Sequence, residues 1–535
     1  ESRSGRQRLL AEGRRVEVPL RPAVRVVDVR LRPATLEDPR PKLERLAEAL
    51  GFPVEADAPS LRALSSVGDE FRAALLGRRL LSCWGEGDAL GFAVDVGTTK
   101  LAGYLVDLES GELLSVSSAP NPQIPYGEDV ITRISRAEAG GLEELRSALV
   151  AGVDSLLAEA CRGAGEDPSR VVEVVAVGNT AMHHLLLGLH PGDLGRSPYS
   201  PVVRGPLDLR AWELGLSSAP SAGVHLPPVV AGFVGSDAVA DALATGVLGG
   251  RRLLIDLGTN TEVVLGGERP LSASCASGPA FEGAHVRFGM RASSGAIERV
   301  WVDPSDLRVS YQTVDGGRPR GICGSGVVDA VASMLNAGVV DSSGRMLRVR
   351  GVREGPDGPE FVIAPAEETA IGRDIVITQR DVREIQKAKA AVYAAVSILA
   401  GEAGVSPDDL EAVFVAGAFG LYVDPLSAQR IGMLPDVPLS RVSQVGNAAG
   451  SGAVAILKSA EARAEAVRIA SSLGYVELAA HPSFQREFVA AMYMPHLDLE
   501  RFPRAVSSMD NLVVAESHRR ALRAGGRTSQ PRRRP

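Results

Sequence analysis

The sequence predicts a mixed α/β protein built on a duplicated module and preceded by a small helical domain, and three observations carry that prediction. Residues 92–99 read FAVDVGTT and residues 253–261 read LLIDLGTNT, each an apolar, strand-like run that reaches an Asp and turns at Gly-Thr. In both places a second strand (100–107; 262–265), a polar turn (109–112; 266–269) and a third strand (113–118; 271–274) follow. Finally, residues 174–180, VVAVGNT, resemble residues 413–420, VFVAGAFG, an apolar run broken by a Gly turn in each. One α/β unit is thus expected twice in the chain.

The two Asp-x-Gly-Thr turns are phosphate-binding devices. A buried strand delivers one carboxylate to a fixed place, and the Gly lets successive N–H groups and a Thr hydroxyl converge on an anion. Gly97, Thr98 and Thr99 do this in the first copy, and Gly258, Thr259 and Asn260 in the second. Asp95 and Asp256 repel phosphate, so their natural partner is a magnesium ion, reached through water, or the water that attacks a phosphoryl group. They are the candidate catalytic residues. In the loop Gly417, Ala418, Phe419 and Gly420, small residues let an adenine lie against the backbone.

With 535 residues, 45% of them hydrophobic and 4% aromatic, the chain is expected to hold several cores. The net charge of −7 argues against a dedicated nucleic-acid binder. No apolar run has the length of a membrane span and no leader is recognised, so the expected compartment is the cytoplasm. Cys83, Cys161, Cys275 and Cys323 stand far apart with no Cys-x-x-Cys pair, which reads as reduced, inert thiols.

In order along the chain, residues 1–33 read as a linker segment with one or two strands, and residues 34–90 as a small helical middle domain, with helical spacing at 41–50, 60–64 and 69–76. Residues 91–249 form the first half of the duplicated module. Lys100 is either a phosphate ligand or an exposed strand position. Glu128 and Asp129 suit a helix N-terminus, with Asp129 and Arg133 lining a cleft as the alternative. An amphipathic helix follows at 141–162, then a strand at 171–177 and a helix at 181–189 whose His183 and His184 face different sides and serve packing or the surface. Residues 191–228 read as an irregular insertion of the length that often serves function, with a protein partner as the expected role. The second half spans 250–505, with Glu262 as an exposed strand residue or a neighbour of the ion, and a long helix over 378–400 whose Lys387 and Lys389 either reach nucleotide or are solvated. Residues 506–535 read as a basic, disordered tail that includes Arg519, Arg520, Arg523 and Arg527.

Two such turns plus the late Ala-Gly-Ala-Phe-Gly loop resemble the phosphate and adenosine motifs of the acetate and sugar kinase, heat-shock-protein-70 and actin superfamily. Narrower matches at Asn121-Pro122-Gln123, Tyr126 to Val130, Gly178-Asn179-Thr180, Cys275 to Gly283, Gly321 to Gly326 and Gly446 to Gly450 resemble the reductive activators of corrinoid-dependent proteins. That resemblance implies an RNase H-like, actin-like ATPase fold whose two halves clamp ATP and magnesium in a cleft. It also implies an ATP-driven return of Co(II) corrinoid to Co(I) in a partner corrinoid protein, a ferredoxin-type electron donor and a homodimer. A plant-type [2Fe–2S] domain is expected only upstream of this chain, whose opening residues 1–7 resemble the segment after such a domain, and the start at Glu1 reads as a processed or truncated product. A sugar or carboxylate kinase of the same superfamily, or a nucleotide-gated protein-binding module, is the alternative.

Overall fold

The structure, a computed structural model, describes residues 16–519 apart from Ala418. It divides into two compact units, Glu1–Gly246 with Asn447–Leu473, and Val247–Gly446 with Gly474–Pro535.

The first unit opens on a three-stranded antiparallel sheet, β1 (Arg25–Arg30), β2 (Glu70–Leu76) and β3 (Arg79–Trp84), covered by the helices Lys42–Leu50 and Ala58–Ser66. This corrects the expected helical domain. Residues 69–76 are rich in Ala and Leu, which favour helix, but Phe71, Ala73 and Leu75 alternate onto one buried face and the segment pairs in register with β1.

The main sheet of this unit is built from β4 (Leu90–Val96), β5 (Lys100–Asp107), β6 (Leu113–Pro120), β7 (Val171–Gly178), β8 (Leu207–Arg210) and β9 (Gly223–Leu226), in the order β6-β5-β4-β7-β9-β8. β4 to β6 form an antiparallel meander, while β7 and β9 continue parallel from β4. Two strands of the expected irregular insertion therefore complete the sheet. Their four-residue length, amid Pro and Gly, hides them from a periodicity reading. One face packs against the helix Leu142–Ala164, whose Leu145, Leu149, Val153 and Leu156 meet Phe92, Val94, Leu101 and Leu105. The other face receives the helix Ala448–Lys458, which belongs to this unit although it lies far along the chain.

The second unit repeats the plan with β10 (Arg252–Leu257), β11 (Thr261–Leu265), β12 (Leu271–Cys275), β19 (Ala412–Ala416) and β20 (Val442–Gly446), in the order β20-β19-β10-β11-β12, with β21 (Gly474–Tyr475) beyond β12. β10 to β12 are again an antiparallel meander, with β19 and β20 parallel beyond β10. The duplication read from the sequence is thus a duplication of strand order. The helix Gln379–Ala403 buries Val382, Ile385, Val392, Val396 and Leu399 against this sheet. Between the meander and β19 lie two small sheets, one of β13 (Ala296–Val302), β14 (Val309–Thr313) and β15 (Gly321–Ile322), the other of β16 (Val352–Gly355), β17 (Gly358–Ala364) and β18 (Ile375–Thr378), and the helix Gly324–Asn336.

Residues 506–519 of the expected disordered tail are packed. His518 is buried and hydrogen-bonded to Ser342 Oγ and Leu497 O. The arginines from Arg520 onward, like residues 1–7, lie outside the described residues.

Candidate nucleotide site

Asp95 stands at the end of β4, opposite Val177 of the parallel β7, so the turn Gly97-Thr98-Thr99 leaves the sheet beside Gly178-Asn179. In open α/β sheets this edge, outside the carboxyl ends of neighbouring parallel strands, is where ligands bind. The glycine is required by a close approach, since a Cβ at Gly97 would lie 2.6 Å from the carbonyl oxygen of Lys100. Lys100 itself begins β5.

Polar side chains from separated loops hold this turn. Asn121 Nδ2 donates to Gly97 O at 2.8 Å, and Asn179, which caps the helix Thr180–Leu187, donates through Nδ2 to Thr98 Oγ1 at 2.9 Å. Arg133 is fully buried. Its guanidinium donates to Thr98 O at 2.6 Å, Gly127 O at 2.9 Å and Gln123 Oε1 at 3.0 Å. Burial pulls its pKa down to about 10, against the raising influence of Asp129, and it remains a cation at neutral pH. Asp129 caps the helix Val130–Arg136 by accepting Thr132 N–H at 2.8 Å. Of the two residues weighed for the cleft, one is therefore a buttress beneath the turn and the other a helix cap.

Asp95 has a partner that the sequence reading did not single out. Asn447 Nδ2 donates to Asp95 Oδ2 at 2.8 Å. Tyr104 is buried nearby, and burial together with the Asp95 charge raises its phenol pKa while Asn447 acts the other way.

In the second unit Asp256 lies at the end of β10, opposite Ala416, the last residue of β19, so Gly417, just past that strand, comes alongside it. Gly417 has φ +89°, and a Cβ there would lie 2.8 Å from Asp256 Oδ1. Only a glycine lets this backbone run so close to the carboxylate. The turn Gly258-Thr259-Asn260 is tied down by Ser277, whose hydroxyl donates to Gly258 O at 3.2 Å and pairs with Thr261 Oγ1 at 2.8 Å, and by Gly278 N–H, which donates to Thr259 O at 3.1 Å. Glu262 is buried and accepts Ser274 Oγ at 3.1 Å, which corrects its expected exposure: β11 lies inside the sheet between β10 and β12.

Phe419 stacks on Phe281 with ring centroids 5.2 Å apart and planes 10° from parallel, and a Cβ at Gly324 would meet the Phe419 ring at 3.0 Å. The loops at 275–283, 321–326 and 416–420, separate in sequence, therefore meet at one aromatic pair. Gly420 stays close to Ala416, and Ala418 lies outside the described residues.

The remaining candidates resolve as structure. Lys389 is fully buried and donates to Tyr493 O and to Pro495 O at 2.8 Å, and Lys387 pairs with Glu384 at 2.7 Å. His183 and His184 are both buried, so packing is their role. His184 donates from Nδ1 to Thr180 O and accepts Val202 N–H at Nε2. All four cysteines are buried, and burial raises every thiol, Cys83 to about 12 and Cys161 to about 11.

Among the described residues no group of three or more His, Cys, Asp or Glu side chains is disposed to hold a metal ion. No helix among the described residues is long and apolar enough to cross a membrane.

Two copies of a β-meander continued by parallel strands, each with an Asp-x-Gly-Thr turn at the end of its central strand, define an ATPase-fold protein of the actin-like class. Family models match most of the chain: the RACo linker region at residues 13–70, the RACo middle region at 90–248 and the C-terminal domain of RACo, the ASKHA domain, at 251–506. Corrinoid activation enzyme RamQ of Eubacterium limosum is 37% identical over 412 residues, 75% of this chain and 69% of that protein. The [Co(II) methylated amine-specific corrinoid protein] reductase of Methanosarcina barkeri is 28% identical over 393 residues, 67% of this chain and 68% of that protein. A solved reductive activator for corrinoid,iron-sulfur protein superposes with a TM-score of 0.82 at 36% identity, covering 91% of this chain and 81% of that one. The chain belongs to the family of reductive activators of corrinoid proteins.

The residues that sequence reasoning missed are Asn447, Asn179, Asn121, Gln123 and Ser277. Each stands in a short Gly- or Pro-containing loop that the family resemblance had marked. Asn179 and Asn447 also carry a general signal, an Asn directly after a Gly at a strand-to-helix turn.

Proposed function

We propose that this protein binds and hydrolyses ATP with Mg²⁺ and uses it to return the Co(II) corrinoid of a partner methyl-transfer protein to Co(I). The observation that carries the ATP reading is the repeated juncture of a strand-end Asp with a clamped Gly-Thr turn, Asp95 with Thr98 and Asp256 with Thr259. Membership in the corrinoid-activator family, and the names its relatives bear, carry the cobalt reading.

In this reading each turn takes up nucleotide phosphate. The Thr98, Thr99 and Thr259 groups and the turn N–H donors take phosphate oxygens, Asn260 adds a polar side chain, and Gly417 to Gly420 border the adenosine. Asp95 and Asp256 orient the waters of the ion and the attacking water. Bound Mg²⁺ neutralises charge on the β- and γ-phosphates. The cobalt step takes up one electron, from a separate ferredoxin-type donor or an upstream [2Fe–2S] domain, because the four cysteines of this chain are buried and scattered. ATP assists by binding the two states of the activator–partner complex with different affinity. A homodimer in the cytoplasm completes the proposal.

The test is ATP hydrolysis by the purified chain with and without a Co(II)-state corrinoid protein and a one-electron reductant, with Co(I) followed by absorbance. Stimulation by the corrinoid protein is expected, and Asp95→Ala and Asp256→Ala should each lower it by on the order of a hundredfold or more. Turnover that ignores the corrinoid protein and follows an added sugar or carboxylate would overturn the proposal in favour of a kinase.

A further inference from the structure

One residue that touches Asp95 arrives from the far end of the module. β20 ends at Gly446, and from Asn447 the chain runs into the helix Ala448–Lys458 of the first unit. Asn447 is 9% exposed and uses both ends of its amide. Oδ1 accepts Gly450 N–H at 2.7 Å, capping the helix, and Nδ2 donates to Asp95 Oδ2 at 2.8 Å. The helix is seated at close range: a Cβ on Gly450 would lie 2.5 Å from the Tyr104 hydroxyl, and one on Gly452 would penetrate the carbonyl of Ala240. Asn447 therefore cannot drift from Asp95. Its neighbour Gly446 accepts Gly417 N–H at 3.0 Å, in the loop that runs against Asp256. One dipeptide thus bonds, within each unit, to the residues around that unit's strand-end carboxylate.

The last torsion of an Asp side chain is broad, so a carboxylate keeps a fixed plane only when a donor holds it. A Lys or Arg donor would fix the plane but also cancel the charge that a cation needs. An amide fixes it and leaves the charge intact. We infer that Asn447 is a positioning residue for Asp95, holding the plane of its carboxylate through the amide hydrogen bond. The inference rests on the ATP reading above.

Asn447→Ser and Asn447→Asp both keep an oxygen that caps the helix, so both are expected to unfold near the parental temperature. Neither can donate an amide N–H to Asp95. Basal ATP turnover and Mg²⁺-dependent ATP binding, measured without any corrinoid protein, should show kcat of Asn447→Ser lowered on the order of tenfold to a hundredfold, with KM for ATP held within about threefold. Asn447→Asp should fall further and demand more Mg²⁺, since it sets carboxylate against carboxylate. In an Asp95→Asn background, adding Asn447→Ser should cost nothing more. Parental kcat in Asn447→Ser, or losses that multiply in the double variant, would overturn the positioning role. A parent chain that binds no nucleotide overturns the ATP reading and this inference together. If the parent hydrolyses ATP but ignores the corrinoid protein, only the activator proposal falls, and the Asn447 comparison still decides.

Discussion

Arg133 shows how much of a phosphate turn is made by residues that never meet phosphate. Its three oxygen acceptors, Thr98 O, Gly127 O and Gln123 Oε1, converge on it in the interior, and Gln123 in turn donates to Leu145 O at 2.8 Å in the helix beneath. Arg133→Met preserves length but strands those acceptors, so a loss of about 2–4 kcal/mol is expected in denaturant unfolding. Nucleotide affinity should fall with it, and an unchanged midpoint would remove Arg133 from the scaffold. Asp95, Asp256 and their Gly-Thr turns were legible because the type and order of residues alone define such a turn. Arg133 and Asn447 were not, because their roles come from where distant segments land, and no local pattern separates a buttressing Arg from a solvated one.

The first small sheet and its helices are joined to the main sheet of the first unit by Asp57. This residue caps the helix Ala58–Ser66, pairs with the buried Arg210 at 2.7 Å and accepts Trp212 Nε1–H at 3.1 Å. Burial raises its pKa, but the Arg210, Ser60 and Trp212 bonds outweigh that and bring it to about 2. A carboxylate whose folded pKa is depressed stabilises the fold above its unfolded pKa, and that stability is lost as pH falls. The contribution should therefore be complete above about pH 4 and be lost as pH falls through about 2. Asp57→Asn keeps a capping oxygen and loses the charge, so stability–pH curves of parent and variant should converge in acid and separate by pH 5. Parallel curves would count against the ion pair. The long helices were read within a few residues of their ends, because a 3.6-residue apolar stripe over six turns is hard to mistake. The short strands β2, β8 and β9 escaped: four to seven residues carry too few periods to separate strand from helix or loop once Ala, Leu, Gly and Pro dominate.

The repeat of strand order was visible as two Asp-x-Gly-Thr turns at matching places, but the assignment of Asn447–Leu473 to the first unit was not. That segment follows β20 without a break, and only packing shows where it goes. Arg21 N–H donates to Lys458 O at 2.9 Å, Ala460 N–H to Arg21 O at 2.8 Å, and Arg463 pairs with the buried Glu173 of β7. Two glycines allow a paired test. Gly452→Ala puts a methyl into the Ala240 backbone, which no rotamer relieves, and should destabilise by about 2 kcal/mol or more. Gly401→Ala, also in a helix but with nothing within 4 Å of the new Cβ, should stabilise by about 0.5–1 kcal/mol. Urea midpoints moving in the same direction for both would contradict the seating of the late helix.

Synthesis runs from the N-terminus, and this gives the late segment a consequence for the nascent chain. When β9 has left the ribosome, every strand of the first sheet is present, but the face that includes Gly91 and Tyr104 still awaits Leu457 and Gly450. More than two hundred further residues, including all of β10 to β20, must be translated before that cover exists. The first half made is thus the last to be sealed. At translation rates of about 5–20 residues per second, an unfinished apolar face stays open for tens of seconds, a window for chaperones or for mispairing with another chain.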